Sequence, residues 1–416
     1  MSYRARVVDL ELAASLASAG AVLVEGPKAC GKTETARRPA RSEVLLDVDR
    51  RARQAAAIDP SLILDGDTPR LIDEWQREPS IWDYIRRAVD DRGATGQFIL
   101  TGSSVPPDEE TRHIGAMRII RLRMRPMALS ESGHTTGAVS LAAVLRGEPV
   151  RATDPGLTVR HIADLVSTGG WPGNLGLDVP QAQRRLRGYI SEIARADVQR
   201  VDGVRRDPQV VTRLLRSLAR NLATPAPIKL LRADVNGMDG SLKEETVSSY
   251  LDALARLMIT EDLPAWSPGL RSRTRVRAAS VRHFVDPSLA VAAVRATPTR
   301  LLADLNWFGF LFENLVVRDL RVYAQALEAQ IYHYRDESGL EADAIIEMPD
   351  GQWAAFEVKL GLGEVDAAAE HLMKLKDRVD TRATGEPLAL AVITGTGYGY
   401  VRDDGVTVIP IGALCP

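Results

Sequence analysis

The chain has 416 residues, of which 45% are hydrophobic and 26% are charged, and its formal net charge is −2. This length can bury two or three separate cores, which favours a globular, multidomain protein. Its two cysteines, Cys30 and Cys415, form no CxxC pair and its six histidines are scattered, which excludes a disulfide framework and a zinc site of ordinary spacing. The sequence has no signal-peptide pattern and no apolar run near the roughly 20 residues that span a bilayer, so we expect a cytoplasmic protein.

The first predicted elements are a strand and a helix joined by a glycine-rich loop. The apolar stretch 21–24 is followed by GPKACGKT, which fits the phosphate-binding pattern GxxxxGK[ST], and then by a helical pattern. Small residues let backbone N–H groups close around phosphate oxygens, and the helix N-terminus adds the positive end of its dipole. We predict that Lys32 reaches the β- and γ-phosphates of ATP and that Thr33 binds Mg²⁺. The predicted nucleotide-binding residues of this loop are Gly26, Pro27, Lys28, Ala29, Cys30, Gly31, Lys32, Thr33 and Glu34.

The following segments predict a parallel α/β sheet. The strand patterns lie at 44–48, 71–75, 98–100 and 118–122. Helices alternate with them, and the clearest spans 80–91. Asp73 is predicted to complete the Mg²⁺ shell and Glu74 to polarise an attacking water, which favours ATP hydrolysis over a kinase reaction. Thr101, at the end of the next strand, is predicted to sense the γ-phosphate.

Arginines are dense after this sheet. A guanidinium beside the γ-phosphate stabilises charge in the transition state and is often supplied by a neighbouring subunit. Arg112 and Arg118 are the candidates for such an arginine finger, and a finger acting in trans would require a homo-oligomer. An edge strand whose alternate arginines face solvent explains the same pattern, so both interpretations stay open at this stage.

Several stretches carry a family resemblance. GPKACGKT, TPRLIDEWQREPSIWDYIRRAVD, ILTGSS and LRMRPMALSESG together resemble the AAA-type ATPases of bacteria and archaea that carry a C-terminal domain of unknown function. The later stretches STGGWP, VRHFVDPSLA and WFGFLFENLVVRDL resemble that C-terminal region, so the resemblance covers nearly the whole chain. It implies an AAA-like ATPase domain and a C-terminal domain with a restriction-endonuclease-like, PD-(D/E)xK fold. It indicates architecture better than biological role.

The middle of the chain is strongly basic. Residues 184–232 hold twelve Lys or Arg and four Asp or Glu, a local balance of +8. From residue 207 the pattern predicts a helix, a short helix, a third helix and a strand, the order of a winged helix-turn-helix. Arg213, Arg216 and Arg220 fall on one helical face, and arginines alternate along 271–277, so DNA or RNA could bind here. A winged helix used only for packing or subunit contact is the alternative.

The last predicted elements are two strands, 343–347 and 352–359, joined by a hairpin. Alternation puts Glu357 and Lys359 on one face, beside Asp343 on the neighbouring strand. Asp343 and Glu357 could then hold Mg²⁺ while Lys359 positions the nucleophile of a nuclease.

Glu313 is a fourth catalytic candidate, because an acid within the apolar stretch FLFENLVV needs a partner. We therefore predict that Glu313, Asp343, Glu357 and Lys359 converge in one pocket. Residues 331–416 have a balance of −8, with seven basic and fifteen acidic side chains, which would repel a polyanion. Nuclease activity is consequently left open.

Together these patterns predict an α/β protein in three parts. They are an AAA-like P-loop NTPase domain at 1–128, a helical domain with a winged helix-turn-helix at 129–298, and a restriction-endonuclease-like α/β domain at 299–416. The predicted function is a Mg²⁺-dependent ATPase whose nucleotide cycle controls a nucleic-acid-binding, nuclease-like module. The alternative is a nucleotide-switched signalling or assembly protein in which that module is an inactive scaffold.

Overall fold

The computed structural model of the chain describes residues 3–103, 115–236, 240, 242–267 and 279–416. Arg112 and the alternating arginines at 271–277 lie outside these described residues. Within the described ranges, no helix is both long and apolar enough to cross a membrane.

The N-terminal part is built on a five-stranded parallel sheet with the strand order β2-β3-β4-β1-β5. Its central strands β1 and β4 are almost wholly buried, because helices cover both faces. The predicted parallel sheet is confirmed, with small shifts at the strand ends. The strands are β1 Ala21–Glu25, β2 Ser42–Leu45, β3 Arg70–Asp73, β4 Phe98–Gly102 and β5 Ile119–Arg123. The helices are α1 Val8–Ser18, α2 Lys32–Arg37, α3 Arg50–Ile58 and α4 Ile81–Arg92.

The middle part is helical. In the segment that begins at residue 207, three helices are followed by antiparallel bridges that join Thr260 to Phe284 and Leu263 to Val281. That order agrees with the predicted one, while the assignment as a winged helix stays a prediction. The elements are α5 Leu129–Ser132, β6 Val139–Ser140, α6 Leu141–Leu145, α7 Val159–Thr168, α8 Val179–Glu192, a π-helical turn Ile193–Asp197, α9 Val198–Arg200, α10 Pro208–Arg220, α11 Ile228–Asn236, α12 Glu244–Arg256, α13 Pro287–Ala293 and α14 Pro298–Ala303.

The C-terminal part packs a long helix against a six-stranded mixed sheet with the order β11-β12-β10-β9-β8-β7. The predicted hairpin is present between β8 and β9, and Gly351 takes the φ of 87° that its turn needs. The elements are α15 Leu305–Gln325, β7 Gln330–Arg335, β8 Glu341–Glu347, β9 Trp353–Lys359, α16 Val365–Arg378, α17 Thr381–Thr384, β10 Ala389–Thr394, β11 Tyr400–Val401, β12 Thr407–Pro410 and β13 Leu414–Cys415.

The middle helices and the C-terminal sheet share one hydrophobic core. A single cluster of buried side chains runs from Ala128 to Leu414 and includes Leu214 of α10, Phe312 of α15 and Phe356 of β9. The short strand β13 also pairs with β6, far from it in sequence. The predicted boundary after residue 298 therefore falls inside a shared core, at the first residue of α14.

A buried charge network joins the middle and C-terminal parts of the chain. Arg318 of α15 is 2% exposed and donates to Asp286 at 2.8 Å and to Asp319 at 2.7 Å. Asp286 also accepts from the backbone N–H of Gly170, and Asp319 from that of Leu129. Because each charge has partners, the cost of burying this network is largely offset.

A second junction connects the ATPase sheet to the other parts through Glu261. Arg125, just after β5, forms a two-pronged ion pair with this carboxylate at 2.7 and 3.0 Å. Arg123 and Arg321 lie at 3.5 and 3.6 Å from it. Burial alone would raise the pKa of Glu261, but the charges of the three arginines outweigh burial and hold the pKa well below its ordinary value.

Replacing Glu261 with Gln should therefore lower stability in a pH-dependent way. A carboxylate with a depressed pKa in the folded state stabilises the fold above its unfolded-state pKa and loses that contribution as the pH falls. We expect a loss of about 3 kcal/mol at pH 7, since a buried ion pair is broken. The deficit should shrink below the ordinary glutamate pKa of 4.5. Urea unfolding at pH 7, 5 and 4 measures it, with the exposed Glu337→Gln as control. A deficit that is independent of pH would contradict the ion-pair account.

Candidate functional site

The glycine-rich loop lies at the carboxyl edge of the first sheet, directly after β1. Gly26 is packed so closely that a Cβ atom there would lie 2.2 Å from the carbonyl oxygen of Met124. Gly31 has a φ of 106°, which favours glycine, and leads into α2. The loop thus winds tightly and ends at a helix N-terminus, an arrangement that binds phosphate.

Three side chains of the predicted nucleotide site meet at this edge. Lys32 Nζ donates to the carbonyl oxygens of Gly26 and Pro27, both at 2.9 Å. Thr33 Oγ1 donates to Asp73 Oδ1 at 2.9 Å. Because β1 and β3 are parallel, Asp73 at the end of β3 comes to the same edge as the loop that follows β1.

The neighbouring acid, Glu74, is held by its surroundings. Its backbone is left-handed, with a φ of 55°, which is uncommon for a residue other than glycine. Its Oε2 accepts hydrogen bonds from Gln76 Nε2 and, at 3.2 Å, from Ser103 Oγ. The half-buried carboxylate therefore has a defined orientation beside Asp73. Sequence reasoning missed Gln76, whose only signal was its position two residues after the acid.

The structure gives Thr101 a different task from the predicted one. Its hydroxyl donates to Asp73 Oδ1 and accepts from the backbone N–H of Glu74 at 3.1 Å. A threonine hydroxyl has one proton, which here is donated to Asp73, so the predicted contact with a γ-phosphate would require this bond to break and stays a prediction. Glu34 also differs, because its exposed side chain pairs with Arg37 at 2.6 Å. Only its backbone N–H, in the first turn of α2, belongs to the phosphate loop.

Arg118 lies at the opposite end of the sheet from the loop. Its carbonyl oxygen accepts from the N–H of Ala21, the first residue of β1, and its side chain pairs with Asp90 at 2.7 Å. The length of β5, about 16 Å for five residues, separates it from the loop. Arg118 therefore cannot act as an arginine finger within its own chain, and a role in trans stays a prediction. β5 is an edge strand, which agrees with the alternative interpretation of its arginines.

The loop also contacts the middle part of the chain. Lys28 Nζ forms an ion pair of 2.5 Å with Asp197, the last residue of the π-helical turn after α8. Arg6, which is 6% exposed, donates to the carbonyl oxygen of Cys30 at 2.9 Å and pairs with Glu131 at 3.0 Å. Neither contact left a sequence signal, because Lys28 and Asp197 are 169 residues apart.

A second cluster of charged side chains lies at the C-terminal sheet. Lys359 Nζ is 2.6 Å from Glu357 Oε2 and 3.5 Å from Asp343 Oδ2. Asp343 Oδ2 also accepts from the backbone N–H of Val358 at 2.7 Å. Glu313 of α15 lines the same pocket, of about 600 Å³, together with Asp343 and Lys359. Glu357 is buried behind Lys359 and is 2% exposed.

The charges in this pocket are strongly coupled. Burial and the charge of Asp343 raise the pKa of Glu357 to about 8, and they raise the pKa of Glu313 well above its ordinary value. Burial lowers the pKa of Lys359, but Asp343 and Glu357 outweigh it and raise the pKa above the ordinary value. Glu357 Oε1 is buried without a hydrogen-bond partner. The pocket therefore holds one firmly charged lysine beside two glutamates, Glu313 and Glu357, whose raised pKa values oppose ionisation.

No group of three or more His, Cys, Asp or Glu side chains in the described part of the chain is close enough to hold a metal ion. In the C-terminal pocket the ammonium of Lys359 occupies the space between the two predicted metal ligands, Asp343 and Glu357. At the glycine-rich loop, Thr33 and Asp73 bring two side-chain oxygens together, and their predicted role as Mg²⁺ ligands stays a prediction.

Three family models match separate ranges of the chain. Residues 18–133 match the model described as an AAA domain. Residues 159–300 match a domain of unknown function (DUF8612), and residues 308–414 match another domain of unknown function (DUF4143). The N-terminal part is thus an AAA-like, ATPase-type P-loop domain, which confirms that part of the resemblance. The restriction-endonuclease-like fold stays a prediction.

Particular proteins resemble the chain over most of its length. Two uncharacterized proteins, one from Mycobacterium bovis and one from Mycobacterium tuberculosis, are each 24% identical over 374 residues, which covers 86% of this chain and 74% of theirs. Among solved structures, the Walker-type ATPase of Pyrococcus abyssi has a TM-score of 0.42 at 15% identity, covering 69% of this chain and 94% of its own.

The packing of the loop predicts that Gly26→Ala will impair nucleotide binding. The added Cβ would meet the Met124 carbonyl oxygen at 2.2 Å, and neither backbone can give way cheaply. We expect binding of a fluorescent ATP analogue to weaken at least about tenfold, since about 1.4 kcal/mol of strain suffices for that. Gly188→Ala, on α8 with open space around it, is the matched control. Equal affinities in the two variants would show that the loop does not bind nucleotide.

Proposed function

We propose that the protein binds and hydrolyses ATP with Mg²⁺ at the loop after β1, and that its nucleotide cycle controls a nucleic-acid-binding, nuclease-like C-terminal module. The hydrogen bond of 2.9 Å between Thr33 and Asp73 carries the first half of this proposal. It brings a hydroxyl and a carboxylate oxygen, both donors that suit Mg²⁺, to the glycine-rich loop. Bound there, the ion would neutralise charge on the phosphates.

The side chains of the loop supply the rest of the ATPase mechanism. Lys32 exchanges the carbonyl oxygens of Gly26 and Pro27 for oxygens of the β- and γ-phosphates. Glu74 accepts a proton from the attacking water, and Gln76 and Ser103 hold its carboxylate for that step. The left-handed backbone of Glu74 costs stability, as is common for residues at active sites.

Control by nucleotide would act through Lys28. Its ammonium pairs with Asp197 in the free loop, and a bound triphosphate would compete with Asp197 for it. Asp197 ends the π-helical turn that continues α8, and such turns occur frequently at functional sites. Nucleotide binding would thus loosen the contact between the loop and the middle helices, which share their core with the C-terminal sheet.

The grouping of Asp343, Glu357, Lys359 and Glu313 supports the nuclease-like half of the proposal. Two carboxylates and a lysine on adjacent strands suit phosphodiester hydrolysis, in which acids bind a divalent ion and a lysine orients the water. The buried and unpaired Glu357 Oε1 is an oxygen donor that a cation could use.

The alternative function is a nucleotide-switched signalling or assembly protein whose C-terminal module is a catalytically inactive scaffold. The position of Lys359 favours it, because the ammonium satisfies Glu357 and Asp343 without a metal. The raised pKa of Glu357, about 8, also reduces the fraction of ionised carboxylate at neutral pH.

Two substitutions test the ATPase. Lys32→Ala should abolish tight ATP binding, because it removes the cation that contacts the phosphates. Glu74→Gln should leave binding unchanged and lower turnover by about 10²- to 10⁴-fold, since only the proton acceptor is lost. ATP binding by calorimetry and phosphate release measure the two steps. Glu34→Gln, an exposed acid beside the loop, is the control. Undiminished hydrolysis by Glu74→Gln would mean that the base is assigned wrongly.

The nuclease-like half is tested separately with Mg²⁺ or Mn²⁺ and labelled DNA and RNA. Asp343→Ala and Lys359→Ala should each eliminate cleavage, one by removing a metal ligand and the other by removing the group that positions the water. Glu364→Gln, which changes an exposed acid of the same pocket, should keep it. If neither metal binds and no substitution changes any activity, the scaffold alternative stands and the nuclease proposal fails.

A further inference from the structure

An open groove lined by arginines lies on the middle helices. It has a volume of about 490 Å³ and is formed by α8, the π-helical turn, α10 and α13. Five arginines line it, and none of its described lining residues is acidic. They are Arg187, Arg195, Arg213, Arg216 and Arg295.

These arginines differ from others nearby in having no acidic partner. Arg206, Arg256 and Arg282 each pair with an aspartate within 4 Å. No carboxylate among the described residues pairs with an arginine of the groove. Like charges brought together without counter-charges repel each other, so this surface favours an anionic ligand.

One of the five is held in a costly conformation. Arg295 follows α13 with a φ of 54°, in the left-handed region that glycine would adopt without strain. Its guanidinium nevertheless belongs to the groove. This conformation caps the carboxyl end of α13, because the N–H groups of Arg295 and Ala296 donate to the carbonyl oxygens of Ala292 and Val291. The case for a binding surface therefore rests on the unpaired arginines.

The basic surface continues beyond the groove. Arg220, at the end of α10, and Arg300 of α14 line an adjoining hollow of about 480 Å³, whose single acid is Asp304. Residues 223–225, which follow α10, and Asn306 of α15 line the pocket that contains Glu313, Asp343 and Lys359. α10 therefore runs beside the groove and the hollow and ends at the edge of the carboxylate pocket.

The groove and the hollow together form a basic strip along α10, and its length suits a polyanion with regularly spaced charges. Arg213 and Arg220 are seven residues apart on α10, or about 10 Å along the helix. Each strand of a duplex has one phosphate for about every 3.4 Å of the helix axis, so a strand that follows this interval presents more than one phosphate to it. Guanidinium groups bind phosphate oxygens in pairs, and a small anion would leave most of an open strip uncovered.

We propose that the phosphodiester backbone of a nucleic acid lies along α10, held by the arginines of the groove and the hollow, and is led into the carboxylate pocket. The part of this inference that leads the strand to the carboxylate pocket rests on the proposed nuclease-like function. Binding along α10 does not depend on cleavage. It assigns binding roles to Arg187, Arg195, Arg295 and Arg300 as well as to the arginines of α10.

Binding is tested with the full-length chain and fluorescently labelled single-stranded DNA, duplex DNA and single-stranded RNA of one sequence. The combined substitutions Arg195→Ala, Arg213→Ala and Arg216→Ala remove three predicted phosphate contacts. The slope of the logarithm of the binding constant against the logarithm of the salt concentration should then become less steep by about 2.7 for a duplex and about 2.1 for a single strand. The loss of affinity between 50 and 200 mM salt should then be about 40-fold or about 20-fold smaller. Comparing the three probes identifies the bound form.

A matched control separates the effect of losing arginines of the strip from the effect of lowering the total positive charge. Arg41→Ala, Arg151→Ala and Arg382→Ala remove the same charge from exposed positions elsewhere on the described surface. This triple variant should keep the wild-type slope. Equal slopes in the two triple variants would overturn the proposal, and circular dichroism with thermal unfolding shows whether each variant is folded.

The path of the nucleic-acid strand over the surface is tested by cross-linking in a Cys415→Ser background. A photo-cross-linker on Asn306→Cys, between the hollow and the carboxylate pocket, should capture DNA or RNA, and the groove variant should lose this capture. The same group on Lys374→Cys, on α16 beside a different hollow, should capture little. Equal capture at the two positions would overturn the path. If capture and salt dependence hold while Asp343→Ala changes no activity, only the nuclease proposal fails.

Discussion

A buried guanidinium, that of Arg318, holds the middle and C-terminal parts of the chain in one arrangement. It lies between Asp286 of the middle part and Asp319 of its own helix, and these carboxylates accept the backbone N–H groups of Gly170 and Leu129. Removing one member of such a network leaves a buried charge uncompensated, at a cost of about 3–5 kcal/mol. One set of charges therefore fixes α5, the middle helices and α15 relative to each other.

The molecule carries two acidic sites that differ in how their carboxylates are already paired. At the nucleotide loop, Asp73 accepts hydrogen bonds from the hydroxyls of Thr33 and Thr101, which leave its charge available for a cation. In the C-terminal pocket, Lys359 already balances Asp343 and Glu357. Under the proposed function, the first site would accept a metal–nucleotide complex at Asp73, whereas in the second a divalent ion would have to displace Lys359 from Asp343 and Glu357.

Four of the seven stretches that resemble the AAA-type family contribute residues to one buried network. LRMRPMALSESG contributes Leu129, STGGWP contributes Gly170, VRHFVDPSLA contributes Asp286, and WFGFLFENLVVRDL contributes Arg318 with Asp319. All of them meet in the buried network, although they are spread along the chain. Gly170 is needed there because a Cβ atom would lie 2.1 Å from the carbonyl oxygen of Met127.

The sequence by itself determined the features whose signals are local: the phosphate loop from Gly26 to Thr33, the parallel strands around it, and the hairpin that carries Asp343 and Glu357. Each depends on residues a few positions apart, where strand alternation and glycine conformation are readable. Only the tertiary structure decided that Asp197 pairs with Lys28, that Thr101 contacts both Asp73 and Glu74, and that arginines of α8, the π-helical turn, α10 and the segment after α13 line one groove. Those contacts join distant segments, and their partners are chosen by how the helices pack on the shared core.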